Sequence, residues 1–332
     1  MKYAVIGIGA VGSIVGGLLV KSGEDVTLIG KPYQIDVVKQ KGLKIIGVHG
    51  ATVLKEIKVS KDLLLVKNAD IVFICVKSQD TKQLANDLKN ILNKSTLIIS
   101  LQNGIRNAQV LKDITGNEVL SGVVLFNALY EKPGEVTLTI RGGILLEKNN
   151  ENLDILVKSF YKAGLKVILV DNIDGYLWSK LILNLQIAVT ALTGQTIRQS
   201  IANKDTRCII VETMIEGINV VQKSNIKLEV LPEIDPKKLI IRLSSLGSFF
   251  LIIGSRLIGV KKDARNSMWQ SLSQGKQTEI DFINGEIIAL AKKNNIQAPI
   301  NKKIVEIIKK VEQQHQLKTY APQELKKMLN VS

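Results

Sequence analysis

The sequence predicts an α/β protein of two domains, an amino-terminal sheet domain at 1–172 and an all-helical carboxy-terminal domain at 173–332. The chain has 332 residues, enough for two domains of about 150 residues each. In its first half, short runs of Val, Ile and Leu alternate with helical segments, the pattern of a parallel sheet covered on both faces. After about Asn172 the strand pattern stops and apolar residues recur at helical spacing. These observations indicate a parallel-sheet domain followed by a helical one.

The predicted elements follow this division in chain order. The parallel strands are expected at 3–8, 26–29, 71–76 and 97–101. From 119 to 147, Pro133-Gly134 and Gly142-Gly143 separate short runs that we interpret as antiparallel strands added to a sheet edge. A further helix and strand are expected at 152–163 and 166–170. The second half is predicted to be helical at 176–192, 205–224, 236–247, 278–294 and 301–318.

Charge and composition exclude several classes of protein. The 45 Lys and Arg against 30 Asp and Glu give a net charge of +15, but the excess is spread over both halves without an aromatic-rich basic motif. We therefore expect a solvated basic surface and no nucleic-acid partner. Two cysteines and two histidines are too few for a disulfide framework or a cysteine-based metal site, and they fit a reducing, cytoplasmic compartment. Proton transfer must then use Lys, Glu, Asp or Tyr.

Two uncharged stretches, 3–20 and 243–255, could be mistaken for membrane segments. The first carries five glycines whose spacing has another explanation, given below. The second has thirteen residues, short of the roughly 20 that a membrane-spanning helix needs, and is expected to be a buried helix. No membrane partner is predicted.

A glycine-rich loop follows the first predicted strand and opens a helix. Its six residues are Gly7, Ile8, Gly9, Ala10, Val11 and Gly12. In this context Gly7 permits a tight turn, Gly9 leaves room for a pyrophosphate, and Gly12 lets helix and strand pack closely. The amino end of the helix attracts phosphate charge. The loop predicts a dinucleotide site, the alternative being a glycine-rich packing turn.

Three further residues follow predicted strands at the edge where ligands gather in such sheets. Lys31 stands where an NAD(H) site usually carries an acidic residue, and a lysine would instead attract a 2′-phosphate. We therefore favour NADP(H), with a solvated loop lysine as the alternative. Lys77 and Asn103 follow the next two strands, and are predicted to lie at the same edge.

Lys180 is the only charged residue between Asp174 and Arg198. The residues around it are apolar on every side of the helix, which predicts burial on all sides. Desolvation would disfavour the charged form of this lysine and ease proton donation. Asn184, four residues on, projects from the same face. We favour a functional lysine over a solvated one.

A second polar cluster spans 265–270 and 277–285. By local chemistry alone it indicates successive capped helices, with Ser267 or Thr278 as the caps and Glu279 as an acid in a first helical turn.

Taken together, these motifs resemble the ketopantoate reductases (2-dehydropantoate 2-reductases) over nearly the whole chain. The resemblance rests on the glycine-rich loop, Gln102-Asn103-Gly104, Leu177-Trp178-Ser179-Lys180 with Asn184, Ser267-Met268, and Thr278-Glu279-Ile280-Asp281 with Asn284-Gly285.

The resemblance implies a Rossmann-type domain and a helical domain, with NADPH and a 2-oxo acid bound in the cleft between them and no metal. It implies that Lys180 is the general acid and that Asn103, Asn184 and Ser267 hold the substrate. The implied cofactor contacts are Lys77, Asn103, Glu279 and Ala128. The implied reaction reduces ketopantoate to (R)-pantoate on the way to pantothenate and coenzyme A.

The chain departs from the family pattern at two amide positions, where Ala188 and Arg198 stand. Two alternatives therefore stay open: a paralogue that reduces another branched 2-oxo acid, and a nonenzymatic NADPH sensor. The sequence also leaves open whether the protein forms a homodimer.

Overall fold

The computed structural model describes residues 1–47, 50–148, 153–232, 234–247 and 265–331. The chain divides into two compact units, Met1–Ile173 and Asp174–Ser332. The described strands of the first unit are β1 Lys2–Ile6, β2 Asp25–Ile29, β3 Leu43–Gly47, β4 Gly50–Leu54, β5 Lys58–Ser60, β6 Ile71–Ile74, β7 Leu97–Ser100, β8 Val119–Val124, β9 Asn127–Lys132, β10 Glu135–Ile140, β11 Ile144–Glu147 and β12 Val167–Val170. Its helices are α1 Ala10–Lys21, α2 Pro32–Lys41, α3 Thr81–Leu88, α4 Asn107–Thr115 and α5 Leu153–Lys162.

An eight-stranded sheet organises the first unit in the order β12-β11-β8-β7-β6-β1-β2-β5. The strands from β8 to β5 run parallel, which confirms the predicted parallel sheet. Ile6 pairs with both Ile29 and Ile74, and Ile74 pairs with Ser100. Because β1, β2, β6 and β7 thus end at one level, the loops that follow them lie along one edge of the sheet.

The strands after 119 are arranged differently from the prediction. Only β11 joins the edge of the main sheet antiparallel, next to β8, and β12 then runs parallel to β11. β9 and β10 instead form a separate four-stranded sheet, β4-β3-β10-β9, which packs against α1. The sequence analysis missed β3 and β4, so it had no partner for the hairpin other than the main sheet.

The described elements of the second unit are helical, as predicted. They are α6 Ile173–Asn184, which starts at the last residue of the first unit, α7 Gln186–Thr193, α8 Ile197–Ala202, α9 Lys204–Lys223, α10 Pro236–Ser245, α11 Ser267–Ser273, α12 Asn284–Lys293, α13 Pro299–Gln313 and α14 Pro322–Met328. The helix predicted at 176–192 is two helices that break at Leu185. The one predicted at 278–294 begins as a short 3-10 helix, Ile280–Phe282.

No helix in the described ranges is both long and apolar enough to span a membrane. The stretch predicted as a buried helix at 243–255 is described only as far as 247, and its remainder lies outside the described residues.

Candidate active site

The glycine-rich loop joins β1 to α1 at the carboxyl edge of the main sheet. Gly7 has a positive φ of 98°, and a Cβ on Gly12 would lie 2.1 Å from the carbonyl oxygen of Gly7. A Cβ on Gly9, by contrast, would meet nothing within 4 Å. Gly7 is therefore required by the turn and Gly12 by close packing, whereas Gly9 borders open space at the amino end of α1. This is the space that a phosphate group needs.

Lys31 lies at the same edge, immediately before α2, and its side chain is exposed. Its backbone N–H donates to Oε1 of Gln34 over 3.1 Å. Gln34 is 8% exposed, and its Nε2 donates to the carbonyl oxygen of Ile8 in the glycine-rich loop over 3.1 Å. The structure thus ties Lys31 to the loop through a residue that the sequence analysis did not single out.

The loops that carry Lys77 and Asn103 are also joined to one another. Ser78 Oγ donates to the carbonyl oxygen of Asn103 over 2.6 Å, and Asn107 Nδ2 donates to the same oxygen and to Ser78 Oγ. Gln102 Nε2 donates to the carbonyl oxygen of Val76 over 3.1 Å. Lys77 is exposed and Asn103 is half-buried. The structure therefore brings both residues to one end of the sheet.

Ala128 lies elsewhere, in β9 of the second sheet, where it pairs with Leu138 of β10. It is half-buried against the apolar core. Its role as a cofactor contact stays a prediction.

In the second unit, Lys180 is desolvated by its surroundings, as its apolar neighbours predict, but the helix around it is not buried on every side. Along α6 and α7, Tyr176, Lys180, Leu183, Asn184 and Ile187 are half-buried, and these positions recur at helical spacing on one face. The residues between them are largely buried: Leu181 is 3% exposed, and Ile182 and Leu185 are fully buried. The apolar sequence predicts burial without showing that one stripe is left partly open. That stripe carries both polar residues of the predicted site.

The environment of Lys180 changes its acidity. Burial lowers the pKa of Lys180 from 10.5 to about 8, and the negative charge of Glu279 opposes this shift. The ammonium group is therefore a far better proton donor than a solvated lysine, and is still mostly protonated at neutral pH. The preceding Ser179 is fully buried and donates from Oγ to the carbonyl oxygen of Glu229 over 2.6 Å, which fixes this turn of α6.

Ser267, a predicted cap, is instead the exposed first residue of α11, and its neighbour Asn266 is the cap. Asn266 caps the helix by accepting from the backbone N–H of Trp269 over 2.8 Å. Asn266 Nδ2 also donates to the carbonyl oxygen of Ile187 over 3.0 Å and to Thr190 Oγ1. These bonds hold Ser267 beside the helix that follows Asn184. Thr278 is not the cap that was predicted: Glu279 holds the cap position of the 3-10 helix Ile280–Phe282, without a capping side-chain bond, and is not in its first turn. Thr278 Oγ1 accepts from the backbone N–H of Ile280 over 3.2 Å.

Potential metal ligands do not cluster among the described residues. No group of three or more His, Cys, Asp or Glu side chains among them could hold a metal ion. What the described residues offer is a glycine-rich phosphate cradle with two lysines at its sheet edge, and a lysine of lowered pKa beside an amide.

Comparison with protein families gives two matches, one in each half of the chain. Models described as "Ketopantoate reductase PanE/ApbA" and "Ketopantoate reductase PanE/ApbA C terminal" match residues 3–151 and 172–312. The chain belongs to the ketopantoate reductase family.

Relatives of the family match over almost their full lengths. The 2-dehydropantoate 2-reductase of Pyrococcus horikoshii is 33% identical over 306 residues, which are 91% of this chain and 94% of that protein. The crystal structure of a PanE/ApbA family ketopantoate reductase from Ralstonia eutropha JMP134 is 30% identical with a TM-score of 0.83, covering 95% of this chain and 99% of that one. D-mandelate dehydrogenase with NADH and anilino(oxo)acetate shares the fold at 22% identity, with a TM-score of 0.80 and coverages of 95% and 99%.

The two departures from the ketopantoate reductase pattern lie in different surroundings. Ala188 is fully buried in α7, so this position contributes apolar packing. Arg198 is half-buried in α8, where it brings a positive charge in place of an amide.

Proposed function

We propose that this protein is an NADP(H)-dependent 2-dehydropantoate 2-reductase of the cytoplasm, which forms (R)-pantoate for pantothenate and coenzyme A biosynthesis. In this proposal 1–172 binds the dinucleotide and 173–332 supplies the substrate-binding and catalytic groups. The observation that carries it is the half-open stripe of α6 and α7, which presents Lys180 and Asn184 together with apolar side chains. A branched 2-oxo acid has this combination of polar and apolar groups.

The glycine-rich loop fits a dinucleotide. Open space beside Gly9 and the amino end of α1 suit a pyrophosphate, and exposed Lys31 at the end of β2 suits a 2′-phosphate. Lys77 and Asn103 lie at the same edge and complete the proposed cofactor side. When bound, the cofactor supplies the hydride.

The residues of the second unit would manage the proton and the charge. As the keto carbon is reduced, the electrons of the C=O bond move to oxygen, and Lys180 donates its Nζ proton to that oxygen. The cationic donor stabilises the alkoxide as it forms. Asn184 and Ser267 would orient the carboxylate or hydroxyl groups without competing for the proton, and Glu279 would keep Lys180 protonated near neutral pH.

A second candidate substrate is another branched 2-oxo acid. Ala188 and Arg198 favour it, because one removes an amide from the family pattern and the other introduces a cation that a further anionic or polar substituent could use. Reduction in the presence of the same cofactor would use the same lysine.

The test is oxidation of NADPH with ketopantoate by the wild type, by Lys180→Ala, and by Lys310→Ala, an exposed lysine of the same unit. General acid catalysis contributes about 10²–10⁴-fold, so we expect Lys180→Ala to lose at least a hundredfold in kcat and Lys310→Ala to match the wild type. A panel of branched 2-oxo acids then separates the candidates by kcat/KM. Cofactor binding without turnover of any acid would instead support the sensor, and an unchanged Lys180→Ala rate would refute the mechanism.

A further inference from the structure

Gln34 makes hydrogen bonds with three separate parts of the first unit. Its Oε1 accepts from the backbone N–H of Lys31, and its Nε2 donates to the carbonyl oxygen of Ile8 over 3.1 Å and to the hydroxyl oxygen of Tyr130 over 2.9 Å. The backbone N–H of Lys31 can only donate and the carbonyl of Ile8 can only accept, so the orientation of the amide is determined by its partners. The Gln34 side chain is buried, and its amide oxygen and both of its N–H groups have hydrogen-bond partners. These bonds fix the position of the carboxamide.

The bond to Ile8 also sets the direction of the peptide group that joins Ile8 to Gly9. A trans peptide is planar, with its C=O and N–H pointing in opposite directions, and no cis peptide occurs in the described chain. Gln34 and, more weakly, Ser13 Oγ at 3.3 Å draw the Ile8 carbonyl inward. The N–H of Gly9 therefore points away from Gln34. Among the described residues no backbone carbonyl accepts this N–H.

We propose that Gln34 is a positioning residue for the cofactor: it aims the Gly9 N–H at the pyrophosphate and, through the same carboxamide, holds the backbone of Lys31 in place for the 2′-phosphate. This inference rests on the proposed NADP(H) function. It links the two phosphate contacts, which are 22 residues apart in the sequence, through one buried amide.

Tyr130 supports the amide from the second sheet. Burial raises the pKa of Tyr130, so its hydroxyl stays protonated at neutral and moderately basic pH. It accepts the second N–H of Gln34, which would otherwise be left unpaired next to the loop. The second sheet therefore contributes to the site through this hydroxyl.

The experiment measures equilibrium binding of ADP-ribose and of 2′-phospho-ADP-ribose by calorimetry, without turnover. Four variants are compared with the wild type: Gln34→Leu, Tyr130→Phe, Lys31→Ala and Asn117→Leu. The last is the matched control, because Asn117 is a buried amide of the same unit that likewise donates two hydrogen bonds, in its case to the backbone carbonyls of Asn93 and Thr96. It precedes β8, at the opposite end of the sheet strands from the loop.

Each variant has a distinct expected result. Gln34→Leu removes the aim of an N–H bonded to a charged phosphate, so ADP-ribose should bind about tenfold more weakly, and the preference for the 2′-phosphate should fall as well. Lys31→Ala should lower that preference while leaving ADP-ribose affinity unchanged. Tyr130→Phe keeps the ring and should weaken ADP-ribose by about threefold. Asn117→Leu should bind both ligands as the wild type does.

Wild-type affinity for ADP-ribose in both Gln34→Leu and Tyr130→Phe would overturn the inference, and so would equal weakening in Asn117→Leu. Should Gln34→Leu fail to fold, Tyr130→Phe decides alone. A wild type that binds both ligands equally would overturn the NADP(H) preference and the Lys31 part of the inference. The Gly9 part is then judged by the ADP-ribose affinities of the variants.

Discussion

Replacing Lys180 by Met should stabilise the protein while it abolishes catalysis. The pKa of Lys180 falls from 10.5 to about 8 because its charged form is poorly solvated. This pKa difference corresponds to about 3 kcal/mol in the free energy of unfolding. Because part of the Lys180 side chain stays exposed to solvent, we reduce this free-energy estimate to about 2 kcal/mol. Met has a similar length and no charge. At pH 7 the free energy of unfolding of the variant should therefore be about 2 kcal/mol higher than that of the wild type.

The pH dependence of this difference identifies its cause. Between pH 8 and 10.5 the unfolded chain holds the Lys180 proton and the folded chain has lost it, so wild-type stability should rise with pH relative to Lys180→Met. Urea unfolding of both proteins from pH 7 to 10 measures the difference, and groups other than Lys180 cancel in the comparison. The reasoning is refuted if the difference stays constant over this range, or if Lys180→Met is the less stable protein at pH 7.

Three further predictions test other parts of the site. Glu279→Gln removes the charge that raises the pKa of the general acid, so the basic limb of the kcat–pH profile should move below pH 8; a limb that stays or moves upward contradicts this. Gly9→Ala should leave the melting temperature within about 2 °C of wild type but weaken NADPH binding, whereas Gly12→Ala, whose Cβ meets a backbone oxygen, should cost at least about 3 kcal/mol in thermal unfolding; equal melting temperatures would be inconsistent with the loop geometry. Asn266→Ala should raise the KM for the 2-oxo acid about tenfold and leave the Kd for NADPH unchanged, and a change in Kd alone would count against it.

The sequence was sufficient where a single local requirement decides the residue. The glycine-rich loop could be predicted because a tight turn and a close helix–strand approach each demand glycine at a fixed spacing. Lys180 could be predicted to be unusual because a charged side chain within a long apolar run is costly to bury. The positions of the parallel strands could also be anticipated, since continuous apolar runs mark strands that are buried on both faces.

Other features depend on contacts between residues far apart in the chain. Gln34 bonds Tyr130 across 96 positions and Asn266 bonds Ile187 across 79, and no local pattern announces either bond. The second sheet was missed because its strands lack a continuous buried run: β3 has two buried residues and β4 has none. The open stripe of α6 was also missed, because apolar composition indicates what can be buried but not which part of it the protein leaves uncovered.

Exposure to solvent separates two sets of residues: those predicted to contact ligands, and those that hold these contact residues in place. Lys31 and Lys77 are exposed and Asn103 is half-buried, whereas Gln34, Ser78 and Asn107, which bond to their backbones or to neighbouring loops, are 8%, 2% and 4% exposed. A group that binds a ligand must stay accessible, so it cannot itself be fixed by packing. The buried amides and hydroxyls supply that rigidity through backbone carbonyls and N–H groups. Their substitution should therefore weaken cofactor binding by loosening geometry, while substitution of the exposed lysines removes a charge from an otherwise intact site.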